Sequence, residues 1–300
     1  MNKFIKYQDY LWQKIIVLGT LFVLLIIFFV LFLKSYAYQS GDSLLALDVS
    51  NTSETSEHLV SDPLSEPSDD ESSDPSSKVV HNISQSILEK IEIYNSANED
   101  TVGWLKIPNT TLDDPIVKAD DNDFYLANNF DKEPDNHGAF FADFRNTFST
   151  TESNLSKNTV IYAHSMMDGS MFSQIFAYKR LDFLNSNPII EFTVNENTEN
   201  RWKIFCCMVT DVDFYYIETE PSTEAFEKLI NEANQRSLFH TSVDVNINDK
   251  ILTLSTCTYE YLDEDLRFVI MARSLRPGES EHVEPAVNNS DPKQPALKNN

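Results

Sequence analysis

Cysteine, glycine and basic residues are all scarce in this chain of 300 residues. It contains three cysteines and six glycines, and 23 lysines and arginines are set against 47 aspartates and glutamates, for a net charge of −24. Such a charge argues against nucleic acid or anionic lipid as a partner, because both would repel it. The sequence also lacks internal repeats, a Gly-rich phosphate loop and zinc-type Cys/His spacing, so it gives no reason to expect a metal or another cofactor.

The few cysteines exclude a disulfide framework. Cys206 and Cys207 are adjacent, and vicinal cysteines rarely pair with each other because the ring geometry is strained. Both lie in the apolar, strand-like run 202–209, where small buried hydrophobic residues are the simpler interpretation. Cys257 is therefore left as a thiol without an obvious disulfide partner.

One long apolar run is present near the N-terminus. Residues 15–33 carry no charge and no proline, and as a helix they would span about 28 Å, close to the hydrocarbon thickness of a bilayer. Three lysines precede the run and a single lysine follows it before residue 78. This bias predicts a transmembrane anchor with residues 1–14 in the cytoplasm and the rest of the chain outside the cell.

A cleaved secretory signal is the alternative interpretation of the same run. Residues 35–37, Ser-Tyr-Ala, would serve as a cleavage site. The run is longer than the apolar region usual in signal peptides, which favours an uncleaved anchor. In both interpretations the bulk of the chain is exported, and the uncleaved anchor would hold it at the cell membrane.

The polar segments on either side of the central part predict its limits. Residues 41–78 contain ten acidic residues, one lysine and three prolines. A segment this polar and self-repelling cannot bury a core, so residues 34–79 are predicted to form a disordered stalk. The tail at 277–300 has the same character. Residues 80–276 remain, enough for one well-packed domain.

The central part alternates short apolar runs with polar turns. Helical spacing is found at 83–97 and 223–235, with Thr223 as a candidate cap for the second helix. Many short strands with a few peripheral helices indicate a mainly β fold, a barrel or a sandwich. Two short helices are expected at 170–177 and 179–185, and strands at 102–107, 115–117, 139–142, 159–163, 188–194, 201–211, 250–255 and 266–272.

Three residues could carry chemistry, although each has an ordinary structural alternative. Cys257 is predicted to follow a strand, where a thiol can face solvent, but it could equally be another buried cysteine. His164 also ends a strand and could be a surface-loop residue. Arg267 begins an apolar strand and could pair with an acid in the loop 263–265. Together they could supply a nucleophile, a proton carrier and a charge clamp for acyl transfer.

The blocks around these residues resemble the sortases, the cysteine transpeptidases of Gram-positive cell surfaces, and class B in particular. The TLxTC signature is met by TLSTC at 253–257, the histidine block by IYAHSM at 161–166, and the arginine strand by RFVIMAR at 267–273. The similarity runs from about Ser86 to Ser274. It includes GWLKI at 103–107, DFYL at 123–126, AFFADFRN at 139–146 and MF at 171–172.

The resemblance implies a closed eight-stranded sortase β-barrel with an N-terminal helix. It also implies a membrane-anchored enzyme that cuts a sorting signal of LPxTG or NPxTN type after its threonine. Cys257 would form the thioester, His164 would carry the proton, and Arg267 would bind substrate carbonyls or the oxyanion. The acyl group would pass to an amine of a cell-wall precursor or of another protein.

The resemblance further predicts a substrate groove and shows two departures from the family pattern. Ala163 replaces a glycine that usually precedes the histidine, and Thr258 replaces a glutamate that often follows the cysteine. The groove residues implied by similarity are Asn122, Leu126, Tyr162, Tyr216, Ile217, Ser255 and Thr256, for each of which ordinary barrel packing is the alternative.

Three other functions compete with surface-protein anchoring. A pilin-polymerising sortase would use a lysine of another subunit as the acceptor. A catalytically silent module would keep the barrel and only hold peptides, which the intact Cys, His and Arg positions argue against. A hydrolytic cysteine protease would differ only in letting water outcompete the amine.

Overall fold

The computed structural model describes residues 85–149, 154–258 and 265–297. These described residues belong to one compact unit. The predicted cytoplasmic segment, anchor and stalk, residues 1–79, lie outside the described residues. Among the helices that are described, none is both long and apolar enough to cross a membrane.

The described residues form a closed eight-stranded barrel, which confirms the predicted mainly β fold. With strands numbered along the chain, their order around the barrel is β1-β2-β3-β4-β8-β9-β6-β5, and β5 pairs with β1 to close it. The short strands β7 (Phe239–His240) and β10 (Val287–Asn288) pair separately. The barrel strands are β1 (Thr101–Lys106), β2 (Asp113–Val117), β3 (Phe141–Ala142), β4 (Asn158–Tyr162), β5 (Ile189–Thr193), β6 (Arg201–Asp211), β8 (Ile251–Cys257) and β9 (Leu266–Ser274).

Both longer predicted helices are present, with small shifts at their ends. The cap of the helix near residue 223 is Ser222 rather than Thr223, because the Ser222 hydroxyl accepts a hydrogen bond of 3.2 Å from the Ala225 amide. The four-residue helix Phe124–Ala127, called α2 below, was not predicted. The helices are α1 (Gln85–Ala97), α2 (Phe124–Ala127), a 3₁₀ helix (Phe172–Lys179), α3 (Leu181–Ser186) and α4 (Thr223–Arg236).

Strand direction brings three strand ends to one edge of the barrel. β4 and β8 run parallel, from the pair Asn158–Ile251 to the pair Tyr162–Ser255. Both strands therefore end at the same edge. β9 runs antiparallel to β8 and begins at that edge.

The central strands are buried on both faces, as the apolar run in β9 predicted. Leu252, Leu254 and Ile270 pack inside the barrel, whereas Met271 belongs to a second cluster that α4 covers from outside. The two adjacent cysteines of β6 point to opposite faces and are buried in these two clusters. Their interpretation as small buried hydrophobic residues is confirmed.

One buried hydroxyl in β4 makes no hydrogen bond among the described residues. Thr159 is fully buried and its Oγ1 has no partner there. We expect Thr159→Val to raise the free energy of unfolding by about 1 kcal/mol, because the valine methyl removes an unsatisfied polar group. Urea denaturation would measure the change. Thr253→Val is the matched control, since Thr253 Oγ1 donates to Asn158 Oδ1 at 2.7 Å and its loss should destabilise the fold. A drop in stability in both variants would contradict the expectation.

The chain after residue 276 was predicted to be a disordered tail, and this is wrong for residues 277–297. β10 pairs with β7, and the Ala296 amide donates to Asp211 Oδ2 at 2.9 Å. The segment is held mainly by hydrogen bonds and ion pairs at a few positions, and only Ala286 of its described residues joins the apolar core. Its composition therefore resembles that of a disordered segment even though it packs against the domain.

Glu279 anchors this segment to two buried cations. Its carboxylate accepts two hydrogen bonds from the Arg273 guanidinium, at 2.6 and 2.7 Å, and one from Lys203 Nζ at 2.8 Å. Arg273 and Lys203 are both buried. The hydrogen bonds from Arg273, with help from Lys203, lower the pKa of Glu279 well below its usual range despite the opposing effect of burial.

We expect Glu279→Gln to destabilise the protein by about 3 kcal/mol at neutral pH, because buried Lys203 loses its carboxylate partner and buried Arg273 keeps only Asp244, whose Oδ1 lies 3.5 Å from Nη2. A carboxylate with a lowered folded pKa contributes stability above its unfolded pKa and loses that contribution as the pH falls. The wild type should therefore lose stability progressively below about pH 4.5, and the variant should lose less over the same window.

Urea denaturation at a series of pH values from about 3 to about 7 would measure both effects. Glu281→Gln is the matched control. Glu281 lies in the same segment but is mostly exposed, with Arg201 Nε at 3.3 Å. Its loss should cost well under about 1 kcal/mol. Equal losses in the two variants would show that burial of the Glu279 partners does not matter.

Candidate active site

The ends of β4 and β8 place His164 and Cys257 side by side at one edge of the barrel. Tyr162 of β4 pairs with Ser255 of β8. His164 follows Tyr162 by two residues, and Cys257 follows Ser255 by two residues. Cys257 is the last residue of β8. The prediction that it follows the strand is corrected, because its ladder with β9 continues to the cysteine itself. The thiol nevertheless belongs to a partly exposed residue.

Two side-chain hydrogen bonds tie these strand ends together. Thr256 Oγ1 donates to the Ala163 carbonyl at 2.8 Å, and Ser165 Oγ donates to the Cys257 carbonyl at 2.9 Å. One bond joins the residues before the histidine and the cysteine, and the other joins the residue after His164 to Cys257. The relative position of the two backbones is thereby fixed on both sides.

Arg267 lies directly opposite Cys257 in the antiparallel pair of β8 and β9. Directly opposite residues have their Cβ atoms about 5 Å apart and on the same face of the sheet. The Arg267 guanidinium donates from Nη1 to the Leu266 carbonyl at 3.0 Å. Residues 259–264 lie between the two strands in the sequence and are outside the described residues. They include Asp263 and Glu264, two of the acids that could pair with Arg267.

The imidazole of His164 is oriented by the wall that faces it. Its Nε2 lies 2.8 Å from the Leu126 carbonyl oxygen. Since a carbonyl can only accept, Nε2 carries a proton and Nδ1 is the nitrogen that can change its protonation. Gly138 permits this approach: its φ is +63°, and a Cβ there would meet the Tyr125 carbonyl oxygen at 2.5 Å and His164 Cδ2 at 3.3 Å.

A cavity of about 390 Å³ opens at these residues, and all ten site residues expected from the sequence line it. The structure thus brings the catalytic candidates and the groove candidates together. Six further residues line the cavity that sequence reasoning did not name. The predicted residues are Asn122, Leu126, Tyr162, His164, Tyr216, Ile217, Ser255, Thr256, Cys257 and Arg267, and the additional ones are Asp123, Phe141, Ala163, Val212, Phe214 and Tyr215.

Most polar groups on the cavity wall are already bonded to other protein groups. Tyr216 Oη and Ser255 Oγ are 2.8 Å apart, and Tyr162 Oη donates to Asp143 Oδ2 at 2.9 Å. Burial raises the pKa of both tyrosines, so both remain neutral phenols at physiological pH. The walls therefore offer ring faces and methyl groups to a ligand more than hydroxyl groups.

The three cysteines, all of which lie in the described ranges, differ in their surroundings. Burial raises the pKa of Cys206 to about 12 and that of Cys207 well above its usual value. Thiols buried in this way do not ionise near neutral pH and are poor nucleophiles. Cys257 alone among them is partly exposed and lines the cavity.

The described part of the chain shows no group of three metal-ligating side chains placed to hold a metal ion. The side chains that line the cavity include a thiol, an imidazole and a guanidinium. This set can form and break an acyl-sulfur bond if a peptide carbonyl is placed at the thiol.

Comparison with known proteins identifies the family. The family model described as Sortase domain matches residues 105–275, more than half of the chain. The chain belongs to the sortase family. The resemblance derived from the Cys, His and Arg blocks is thus confirmed, and the protein is a cysteine transpeptidase.

Relatives of known class place this sortase in class B. Sortase B of Listeria monocytogenes is 39% identical over 193 residues, which cover 64% of this chain and 76% of the relative. A Staphylococcus aureus sortase B–substrate complex is 29% identical with a TM-score of 0.57, covering 63% of this chain and 86% of that chain. A sortase B complexed with triglycine gives the same identity and TM-score over 63% and 87% of the two chains.

Three of the six cavity residues that sequence reasoning missed lie in the loop after β6. Val212, Phe214 and Tyr215 line the cavity from a segment whose polar and aromatic residues follow no strand or helix period. The cluster of aromatic residues at 214–216 was the available signal, because exposed aromatic rings in a loop often serve binding. Asp123, Phe141 and Ala163 lay inside the recognised blocks but were not named as groove residues.

Proposed function

We propose that this sortase is a membrane-anchored transpeptidase that cleaves a sorting signal of surface proteins after its threonine and joins the acyl group to an amine. One observation carries the proposal. Cys257 and Arg267 face each other across neighbouring strands, with His164 at the parallel strand end, and all three line one open cavity.

Cys257 is the nucleophile of the proposed reaction. Its thiolate attacks the threonine carbonyl, the C–N bond breaks, and a thioester to Sγ forms. The leaving amine takes a proton from the His164 imidazolium. An incoming amine then attacks the thioester, gives a proton back to His164 and releases the Cys257 thiolate.

The hydrogen bond between His164 Nε2 and the Leu126 carbonyl assigns the proton transfer to Nδ1. This bond keeps the ring in one orientation while Nδ1 gains and loses the proton. It also gives Leu126 a second role beside lining the cavity, since its backbone positions the proton carrier.

Arg267 binds the substrate at the reacting carbonyl. Because it lies opposite Cys257, its guanidinium can reach the oxygen on which negative charge develops or the neighbouring peptide carbonyls. Charge-assisted hydrogen bonds to such an oxygen stabilise the tetrahedral intermediate more than the ground state.

The groove holds the sorting peptide through Asn122, Leu126, Tyr162, Tyr216, Ile217, Ser255 and Thr256. The neighbouring structures support a peptide substrate and an amine acceptor, since one is a sortase B–substrate complex and another a sortase B complexed with triglycine. We infer that the acceptor of this sortase is an amine of a cell-wall precursor.

The topology proposed for the whole chain follows from its N-terminal sequence. Residues 15–33 would anchor the chain, residues 1–14 would lie in the cytoplasm, and the stalk 34–79 would carry the catalytic domain outside the cell membrane. Membrane fractionation of expressing cells, followed by protease treatment of intact protoplasts, tests this. Recovery of the chain in the soluble fraction would contradict it.

A library of fluorogenic sorting peptides tests the reaction. The purified full chain, kept in detergent, is incubated with LPxTG-like and NPxTN-like peptides, with and without amine acceptors, and the products are identified by mass spectrometry. We expect cleavage after threonine and a peptide–amine product. Joining only to lysine-bearing acceptors would favour pilin polymerisation, hydrolysis alone would favour a peptidase, and no cleavage would favour a silent peptide-binding module.

A further inference from the structure

A buried acid and an arginine that do not line the cavity connect its two walls. We propose that Asp143 and Arg145 form a brace that positions the walls of the peptide groove and so sets its affinity for substrate. The inference rests on the proposed function only in identifying the cavity as the peptide groove.

Asp143 holds one wall of the cavity, called the first wall, to which Tyr162 and Asn122 belong. It follows β3 and is fully buried. Its Oδ2 accepts hydrogen bonds from Tyr162 Oη at 2.9 Å and from Asn122 Nδ2 at 3.1 Å. Both donors line the cavity, so one carboxylate holds a residue of β4 and a residue of the loop before α2.

Arg145 joins that carboxylate to the opposite wall. Its Nε and Nη2 donate to the two carboxylate oxygens of Asp143 at 2.8 and 2.7 Å, a bidentate pair. Its Nη1 donates to Tyr215 Oη at 2.6 Å and its Nη2 to the Ile217 carbonyl at 2.9 Å. The guanidinium also lies 6.0 Å from the Tyr215 ring centre, within cation–π range.

The charges of the pair are stable across the working pH range. Burial alone would raise the pKa of Asp143, but the hydrogen bonds from Arg145, Tyr162 and Asn122 outweigh it and lower that pKa. The hydrogen bond to Asp143 raises the pKa of Arg145. The brace is thus a permanent ion pair rather than a pH switch.

Other contacts hold Tyr216 without the brace. Its hydroxyl bonds to Ser255, and its carbonyl accepts from Asn158 Nδ2 at 2.9 Å. Loss of the brace should therefore release Tyr215, Ile217 and the first wall while Tyr216 stays in place. Displacing the groove walls by a fraction of an ångström weakens binding of the peptide without removing a reacting group.

The brace residues touch neither the thiol nor the imidazole in any contact given by the structure, so they are positioning residues. We expect Arg145→Ala to raise KM about 10-fold, with a much smaller change in kcat. The peptide used is the one that the wild type cleaves best. Its Kd, measured in a Cys257→Ala background, should rise by the same factor as KM.

Chemical rescue separates positioning from a general loss of stability. Arg145 is partly exposed, so millimolar guanidinium ion can enter the space left by Arg145→Ala and should restore part of the lost affinity. Glu279→Gln is the control, because it weakens the fold at an ion cluster distant from the cavity. This variant should keep the wild-type KM, and added guanidinium ion should not change its affinity for the peptide. Tyr215→Phe deletes one hydroxyl only and should raise KM by a smaller factor than Arg145→Ala. If Arg145→Ala does not fold, this variant still tests the brace.

Hydrogen exchange gives a readout that does not need activity. Arg145→Ala should speed amide exchange at Tyr215 and Ile217 while the Tyr216 amide and the amides of β8 and β9 keep wild-type rates. Unchanged KM, Kd and exchange in a folded variant would overturn the brace, even if the wild type cleaves peptides normally. Faster exchange at Tyr215 and Ile217 in a protein that cleaves no peptide would support the brace and reject the proposed reaction instead.

Discussion

Cys257→Ala is expected to lower kcat for cleavage of sorting peptides by at least about 10³-fold, because without its nucleophile the site can only bind the peptide. Cys257 ends β8 opposite Arg267, and its thiol lines the cavity. Alanine removes Sγ and leaves the strand register unchanged. Intact-mass spectrometry should show an acyl adduct on the wild type and none on the variant.

The two buried cysteines provide the control for this experiment. Cys206 lies under α4 and its Sγ is 3.2 Å from the Ala233 carbonyl oxygen, so Cys206→Ala should lower stability slightly and leave turnover intact. A thiol reagent should label one of the three cysteines in the native protein, because burial raises the pKa of the other two. Cleavage that survives in Cys257→Ala would reject the thioester mechanism.

Arg267→Lys is expected to reduce kcat/KM by about 10²-fold, the effect typical of losing one donor to a developing oxyanion. The substitution keeps the positive charge. It removes the planar fork, which can bind two carbonyl oxygens or one oxygen through two parallel bonds. Steady-state kinetics with the best peptide would measure the loss, and near wild-type turnover would show that Arg267 is structural.

Arg273→Lys is the matched control, since Arg273 lies on the same strand at its opposite end. Its guanidinium is bonded to Glu279, far from Cys257 in the register of β9. The variant should denature at a lower urea concentration and keep its kcat/KM when folded. A loss of activity equal to that of Arg267→Lys would mean that both effects arise from damage to β9.

Much of the fold was predictable because its elements carry local signals. The amphipathic spacing at 223–235 predicted α4, and the apolar run after Arg267 predicted a central strand buried on both faces. The cap at Ser222 was missed because two neighbouring hydroxyl residues offer the same signal. The packed segment 277–297 was missed because a few ion pairs, such as that of Glu279, leave no trace in composition or periodicity.

The candidate site was predictable in its residues more than in its geometry. Recognisable blocks identified Cys257, His164 and Arg267, and the structure brings all three to one cavity. The role of the Leu126 carbonyl in orienting His164 was not predictable, since backbone groups are identical in every residue. Asp143 and Arg145 were recognisable only as members of the block at 139–146. Nothing in that block indicates which residues their side chains bind.

The sequence by itself determined which side chains are available: one thiol without an obvious disulfide partner, the residues around it, and the local period of each strand and helix. The tertiary structure decided which of them meet. His164 and Cys257 are neighbours because β4 pairs in parallel with β8 in one register, and a slip of one residue would turn every side chain of a strand to its other face. Periodicity records which face of an element is buried, whereas contacts between distant residues depend on strand pairing, which no local pattern specifies.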